Sequence, residues 1–412
     1  MIKKITSPSA TIIVFSIYLS FLYINAINVA IPVFSLIVTS GLLLKKHVKQ
    51  EIWIWMATAA FLLSTLVVRY EETRISSTIY SCMFFVIAIS FFRGIHGGAL
   101  RLDTFMKICR LLVMAYFCVL LIQQLCLLAG LPIFNVMLDY SKIEGSKWKL
   151  SSLSDEPSHA ARIVALLTFS YIGAYSLFYR RAYSFIEECR KHKSERFFWF
   201  AFFWTMITMQ SSTALLFVAI ILFRFFLLGK AIIKSIIVGV FCVLVAAIAF
   251  GNNKLIKRNI DIITATLTMD TKAIVKADNS GAHRIVPIII LAERVELLSI
   301  NGLFGFGMDT SKTVVYRNFP GWMDENVAGG GGVFQIWYDF GAIVFLLYVV
   351  GTFKYCTTRK DKLSYLFWFL LIFVNTLNTQ ITWLAIMLLA ANKYFINRYN
   401  KSRSRHYETN RF

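Results

Sequence analysis

Apolar runs long enough, or nearly long enough, to form a membrane-spanning helix recur along the chain, and short polar or basic stretches separate them. A span needs about 20 apolar residues, fewer where neighbouring helices shield it. The pattern predicts helices over 8–24, 26–44, 52–68, 75–92, 108–129, 158–178, 197–210, 213–229, 232–250, 332–352, 363–377 and 381–397, twelve in all. Two pairs meet at polar joints, Gln210-Ser211-Ser212 and Asn378-Thr379-Gln380. Each pair reads either as two short helices or as one broken or re-entrant element.

Composition fixes the class. Of 412 residues 58% are hydrophobic and 16% charged, and the mean hydropathy is +0.64. These values exclude an ordinary soluble domain and give an all-α, polytopic integral membrane protein. Phe (37), Tyr (18) and Trp (9) suit helices that contact lipid and anchor at its interfaces. The seven cysteines are odd in number and lie mostly within apolar runs, so no disulfide framework is implied. The first run follows only two lysines and has no small-residue cleavage site, and it reads as a retained helix.

Charge then orients the spans. With both termini cytoplasmic, the inner segments carry most of the basic residues and nearly all of the net charge of +21. The positive-inside rule is met at each loop in turn. Because the charge is spread over short juxtamembrane loops, topology and anionic lipid account for it, and no nucleic-acid partner is implied. Within a single transmembrane domain of residues 1–412, two segments remain outside, 130–157 and a long one over 251–331. Loops of that length usually carry function. The second contains an amphipathic stretch over 285–298 and a Gly329–Gly332 run that reads as a flexible or tightly turned entry to the next helix.

The polar residues that do not fit lipid gather at this outer side. Ser154-Asp155-Glu156-Pro157-Ser158-His159-Ala160-Ala161-Arg162 opens the 158–178 span. Ser154 to Pro157 also make an ordinary helix start, with a polar cap and proline at the first helical position. Arg162 is different, since an arginine one turn inside a span costs about 2.5–3.5 kcal/mol unless it faces a polar cavity or reaches the interface. His159 and Arg162 are three apart and share a face, with Glu156 just above. A basic stripe there fits an anion at the membrane surface. The long loop adds Arg284, Arg294 and Arg317, with His283 beside the first. Arg284, Ile288, Leu291, Val295 and Leu298 fall on one helical face, and Glu293 with Arg294 on another that also reads as a solvated surface. Arg284 opens its helix, where free backbone N–H groups favour an anion as well.

Other chemistries find little support. Ser158 and His159 are adjacent and cannot act on one another, and there is no G-x-S-x-G element. The six histidines show no paired ligand spacing, and no nucleotide-binding glycine loop occurs.

Glu156-Pro157-Ser158 ahead of Arg162, a large outer loop with His283-Arg284 and Asn301-Gly302-Leu303-Phe304-Gly305-Phe306-Gly307, and Trp337-Tyr338-Asp339-Phe340-Gly341 opening a span together resemble the Wzy-type O-antigen polymerases. The related ligases carry a His-Asn pair shortly before an acidic-x-Gly helix start, where this chain has Gly330-Gly331, so the resemblance favours polymerase over ligase. It implies a lipid-dependent (GT-C-like) glycosyltransferase bundle in a bacterial inner membrane. It also implies elongation of polyprenyl-diphosphate-linked oligosaccharide repeat units at the periplasmic face, without nucleotide, metal or other cofactor. A chain-length regulator and a flippase are the partners it suggests. In this reading Arg162, Arg284, Arg294 and Arg317 hold lipid diphosphate, and Glu156, His159 or Asp339 takes the acceptor proton. Asp339 equally reads as a helix-terminal residue favoured by the macrodipole. The rival from another class is a transporter or flippase of lipid-linked sugars, which tends to show two related halves. Here the outer loops are unequal.

Overall fold

A computed structural model describes residues 30–71, 74–131, 150–154, 156–209, 211–228, 254–321, 323–324, 328–377 and 379–409. The expected spans 8–24 and 232–250, most of the 130–157 segment and Asp155 lie outside the described residues. The elements are helical: α1 (Ala30–Leu43), α2 (Ile52–Leu62, continued by a π-helical stretch Leu63–Val68), α3 (Ile75–His96), α4 (Leu102–Leu128), α5 (Pro157–Phe178), α6 (Phe185–Lys191), α7 (Lys193–Thr208), α8 (Ser212–Leu228), α9 (Lys254–Leu267), α10 (Thr271–Ala277), α11 (Asn279–Ala292), α12 (Ile300–Phe304), α13 (Thr310–Asn318), α14 (Gly332–Cys356), α15 (Leu363–Trp368, continued by a π-helical stretch Phe369–Phe373) and α16 (Gln380–Thr409). No β-strand occurs among the described residues. Among the described residues four helices, α3, α4, α5 and α14, are long and apolar enough to cross a membrane. Both polar joints separate two helices, α7 from α8 and α15 from α16.

α5 sits inside the bundle, packed against α4, α8 and α16. From Ala160 to Tyr175 only Arg162 and Gly173 escape full burial. A helix that is apolar all round must be covered on every side, and that is its environment. Aromatic residues fill the remaining core, among them Phe61, Phe84, Phe85, Trp199 and Trp383.

Polar ties between helices sort into two ends. At one end Glu195 receives Arg110 at 3.3 Å and the hydroxyls of Tyr171 and Tyr183 at 2.7 Å. There too Arg93 meets Glu51 at 2.7 Å, Arg181 meets Glu188 at 2.6 Å and Arg224 meets Asp361 at 2.7 Å. At the other end Ser77 meets Asp309, Gln123 meets Ser152, Tyr80 meets Gln380 and Arg162 meets Asn375. Each tie joins residues that alternating up-and-down helices bring to the same end, which is the arrangement of an antiparallel bundle.

Helices α9 to α13 form a cap with its own apolar core of Ile274, Ala282, Val286, Leu291 and Val315. α11 stops at Ala292, so Val295 and Leu298 do not continue the face of Arg284, Ile288 and Leu291, and Leu298 is exposed. The cap is locked to the bundle at a break in α14. Gly341 has φ 85° and ψ 172°, which interrupts the helix. The carbonyls of Tyr338 and Asp339, which a continuous helix would bond to residues 342 and 343, accept instead from the N–H groups of Phe306 at 2.9 Å and Gly307 at 3.1 Å. The Arg69 side chain donates to the Gly305 carbonyl at 2.9 Å, and the Ser64 hydroxyl donates to the Phe304 carbonyl. No side chain fits at the contact. A Cβ on Gly341 would lie 2.1 Å from the Leu303 oxygen, and one on Gly305 would lie 2.3 Å from the Asp339 oxygen.

This geometry separates two costs of replacing glycine. Gly98 has φ +75° but open space around it, so Gly98→Ala should cost about 1 kcal/mol from backbone strain alone. Gly341→Ala and Gly305→Ala add a backbone clash and should each cost about 3 kcal/mol or more. Unfolding midpoints of the purified protein in detergent check the ranking, and equal midpoints for the three variants would contradict it.

Candidate functional site

The site begins where α5 begins. Glu156 is extended and precedes Pro157, whose fixed φ suits the first helical position. The Ser158 hydroxyl donates to Glu156 Oε2 at 3.2 Å, and Arg284 of α11 donates from Nη2 to Ser158 Oγ at 3.1 Å. The same Arg284 nitrogen lies 3.8 Å from Glu156 Oε2. Both side chains remain about two-fifths exposed, so the pair is within reach of a ligand.

Arg162 lies one turn further along α5. Its Nη1 donates to Asn375 Oδ1 at 3.1 Å. Asn375 is itself fixed, because its Nδ2 donates to the carbonyls of Leu370 at 3.2 Å and Leu371 at 3.0 Å. Those carbonyls belong to the π-helical end of α15, where the changed bonding pattern turns acceptors outward. With its amide nitrogen occupied, Asn375 presents only its oxygen to Arg162. That gives a guanidinium inside an apolar helix a fixed polar partner.

The start of α14 closes the same region. Gly330, Gly331 and Gly332 all have positive φ, so the glycine run is a tight turn. A Cβ on Gly331 would meet Leu291 of α11 at 2.5 Å, and one on Gly332 would meet the Phe373 oxygen at 2.7 Å. The N-terminus of α14 is therefore wedged between the helix carrying Arg284 and the end of the helix leading to Asn375.

Of the remaining expected site residues, His159 lies at this mouth, and Asp339, Arg294 and Arg317 lie elsewhere. Asp339 is fully buried, and its oxygens accept from the Ser311 amide and hydroxyl at 2.9 Å each, and from Thr310 and Gln335 at 3.3 Å. It lies inside α14, seven residues past its start, and caps the N-terminus of α13 beside the break. Arg294 bonds Asn318 at 2.7 Å on an exposed edge of the cap, and Arg317 is exposed on the last turn of α13. His159 is half-buried on the first turn of α5. Asn375 was missed by sequence reasoning, and its only signal was an amide at the end of an apolar run. No group of three His, Cys, Asp or Glu side chains suited to a metal ion comes together among the described residues.

His283, next to Arg284, turns its edge to Phe319 with ring centroids 5.2 Å apart. Its Nε2 is buried with no hydrogen-bond partner among the described residues. Burial, and then the charge of Arg284, lower its proton affinity below the ordinary value of 6.5, with Asp278 opposing them.

Searches against protein-family models, curated proteins and solved structures found no match to this chain.

The lowered proton affinity of His283 has a stability consequence. The unfolded chain takes a proton near pH 6.5 that the folded chain refuses, so the stability due to neutral His283 is present above that pH and declines as pH falls below it. His283→Phe keeps an aromatic ring on Phe319 and should flatten the decline in unfolding midpoint between pH 7 and 5.5. An unchanged pH slope in the variant would contradict this account.

Proposed function

We propose that the chain lengthens surface polysaccharide by joining polyprenyl-diphosphate-linked oligosaccharide repeat units, as its resemblance to Wzy-type O-antigen polymerases implies. The observation that carries this reading is the reach of Arg284 from the cap onto the first turn of α5, one turn above Arg162. Two guanidinium groups at one helix mouth suit a diphosphate, and the N-termini of α5 and α14 favour the same charge.

In the proposed reaction a hydroxyl of one lipid-linked unit attacks the anomeric carbon of another. The bond from that carbon to the diphosphate oxygen breaks, and the lipid diphosphate departs with the bonding electron pair. Charge builds on the departing group, and arginines fixed by Ser158 and Asn375 stabilise it without reorganising. Glu156 or His159 takes the proton of the attacking hydroxyl.

The charge distribution supports an extracytoplasmic rim. Arg180, Arg181, Arg190, Lys191, Lys193 and Arg196 cluster at the Glu195 end, as do Lys354, Arg359, Lys360 and Lys362. The positive-inside rule assigns that end to the cytoplasm of a bacterial inner membrane, with the Arg284 end outside.

Reconstitution in membranes with lipid-linked repeat units tests the proposal. Arg162→Ala and Arg284→Ala should each lower polymer yield about 100-fold or more, as loss of an oxyanion-stabilising donor does. The lysine variants should also be impaired, because charge without the planar fork is insufficient. Extended glycan made by the purified protein without nucleotide separates this reading from a flippase. Wild-type yield and chain length in both alanine variants would overturn it.

A further inference from the structure

The cap presents an apolar stripe away from its own core. On α9, Ala265 is buried and Ile262 packs against Gly281 of α11, so that side of the helix faces the cap. On the opposite side Ile260, Ile263 and Leu267 are 57%, 60% and 80% exposed. Their spacing of three and four residues aligns them along one face, and a row of bare aliphatic side chains in water marks a surface meant to be covered.

The neighbouring charge and the course of the chain point to the covering material. Between 254 and 276 the sequence holds Lys254, Lys257, Arg258, Lys272 and Lys276 against Asp261 and Asp270. A segment of that net positive charge repels a second copy of a chain whose net charge is +21, and it is drawn to anionic phosphates. In the sequence the apolar run 232–250 ends just before α9, and the few residues between reach at most about 14 Å even when extended. The cap also descends beside a helix long enough to cross a membrane. α12 docks on α14 at Gly341, about 13 Å along that helix from its start. Leu298, just ahead of α12, is 98% exposed and Ile300, its first residue, is 69% exposed, so a second apolar edge lies beside this contact.

We propose that α9 is an interfacial helix that seats the cap on an anionic lipid surface, with Ile260, Ile263 and Leu267 among the acyl chains and the basic charge ahead of Asp261 drawing anionic headgroups. This seating holds the cap at a fixed height over the bundle and does not depend on the reaction proposed above.

Photocrosslinking of the full chain in vesicles of phosphatidylethanolamine and phosphatidylglycerol tests it. Benzoylphenylalanine replaces Ile263, Leu267 or, as the water-facing control, Lys272; all three positions are exposed, so the substitutions leave packing intact. Lipid adducts at 263 and 267 should exceed those at 272 several-fold, and should fall several-fold when phosphatidylcholine replaces phosphatidylglycerol. Adducts to a second copy of the chain, equal lipid labelling at the three positions, or labelling indifferent to phosphatidylglycerol would overturn the proposal.

Discussion

A helix packed in apolar surroundings can break only where other groups bond the carbonyls it releases, because no water is at hand to do so. α14 breaks at Gly341, and the amides of Phe306 and Gly307 meet the two released carbonyls. Much else follows from that contact. It ties the cap to the bundle, brings Asp339 to the start of α13, and with the glycine turn at 330–332 fixes α11 against α14. α11 in turn carries Arg284 to the mouth of α5. The two motifs NGLFGFG and WYDFG, far apart in sequence, are the two halves of one joint.

The ends of the bundle solve the problem of buried polarity in different ways. At the Glu195 end, carboxylates are matched by arginines and tyrosine hydroxyls, which leaves little electrostatic demand for a ligand. Such networks are costly to disturb, since removing one partner strands the other. At the Arg284 end, Arg162 is held by an amide, and Arg284 by a hydroxyl with a carboxylate 3.8 Å away. These contacts orient both guanidinium groups at the mouth of α5.

Single residues show where sequence reasoning reached and where it stopped. The start of α5 was legible because proline follows a polar cap, and Arg162 stood out because an arginine in an apolar run must have a reason. α4 begins at Leu102, six residues ahead of its apolar run, because Asp103 and Lys107 form a polar opening that hydropathy alone passes over. The break in α14 could not be read, since a lone glycine in an apolar helix looks the same whether or not another backbone presses on it. The role of Asn375 was hidden for a similar reason: its partner lies 213 positions away in sequence. Asp339 has the chemistry of a proton acceptor, and only its contacts reveal that it caps a helix.

The central claim is that Arg162 and Arg284 form one anion site and not two separate structural contacts. Equilibrium binding of a polyprenyl diphosphate to the protein in nanodiscs, measured across the double-mutant cycle of Arg162→Ala and Arg284→Ala, addresses it most directly. The account predicts that each substitution weakens binding and that their effects are coupled by about 0.5 kcal/mol or more. Strictly additive effects, or undiminished affinity in either single variant, would contradict it.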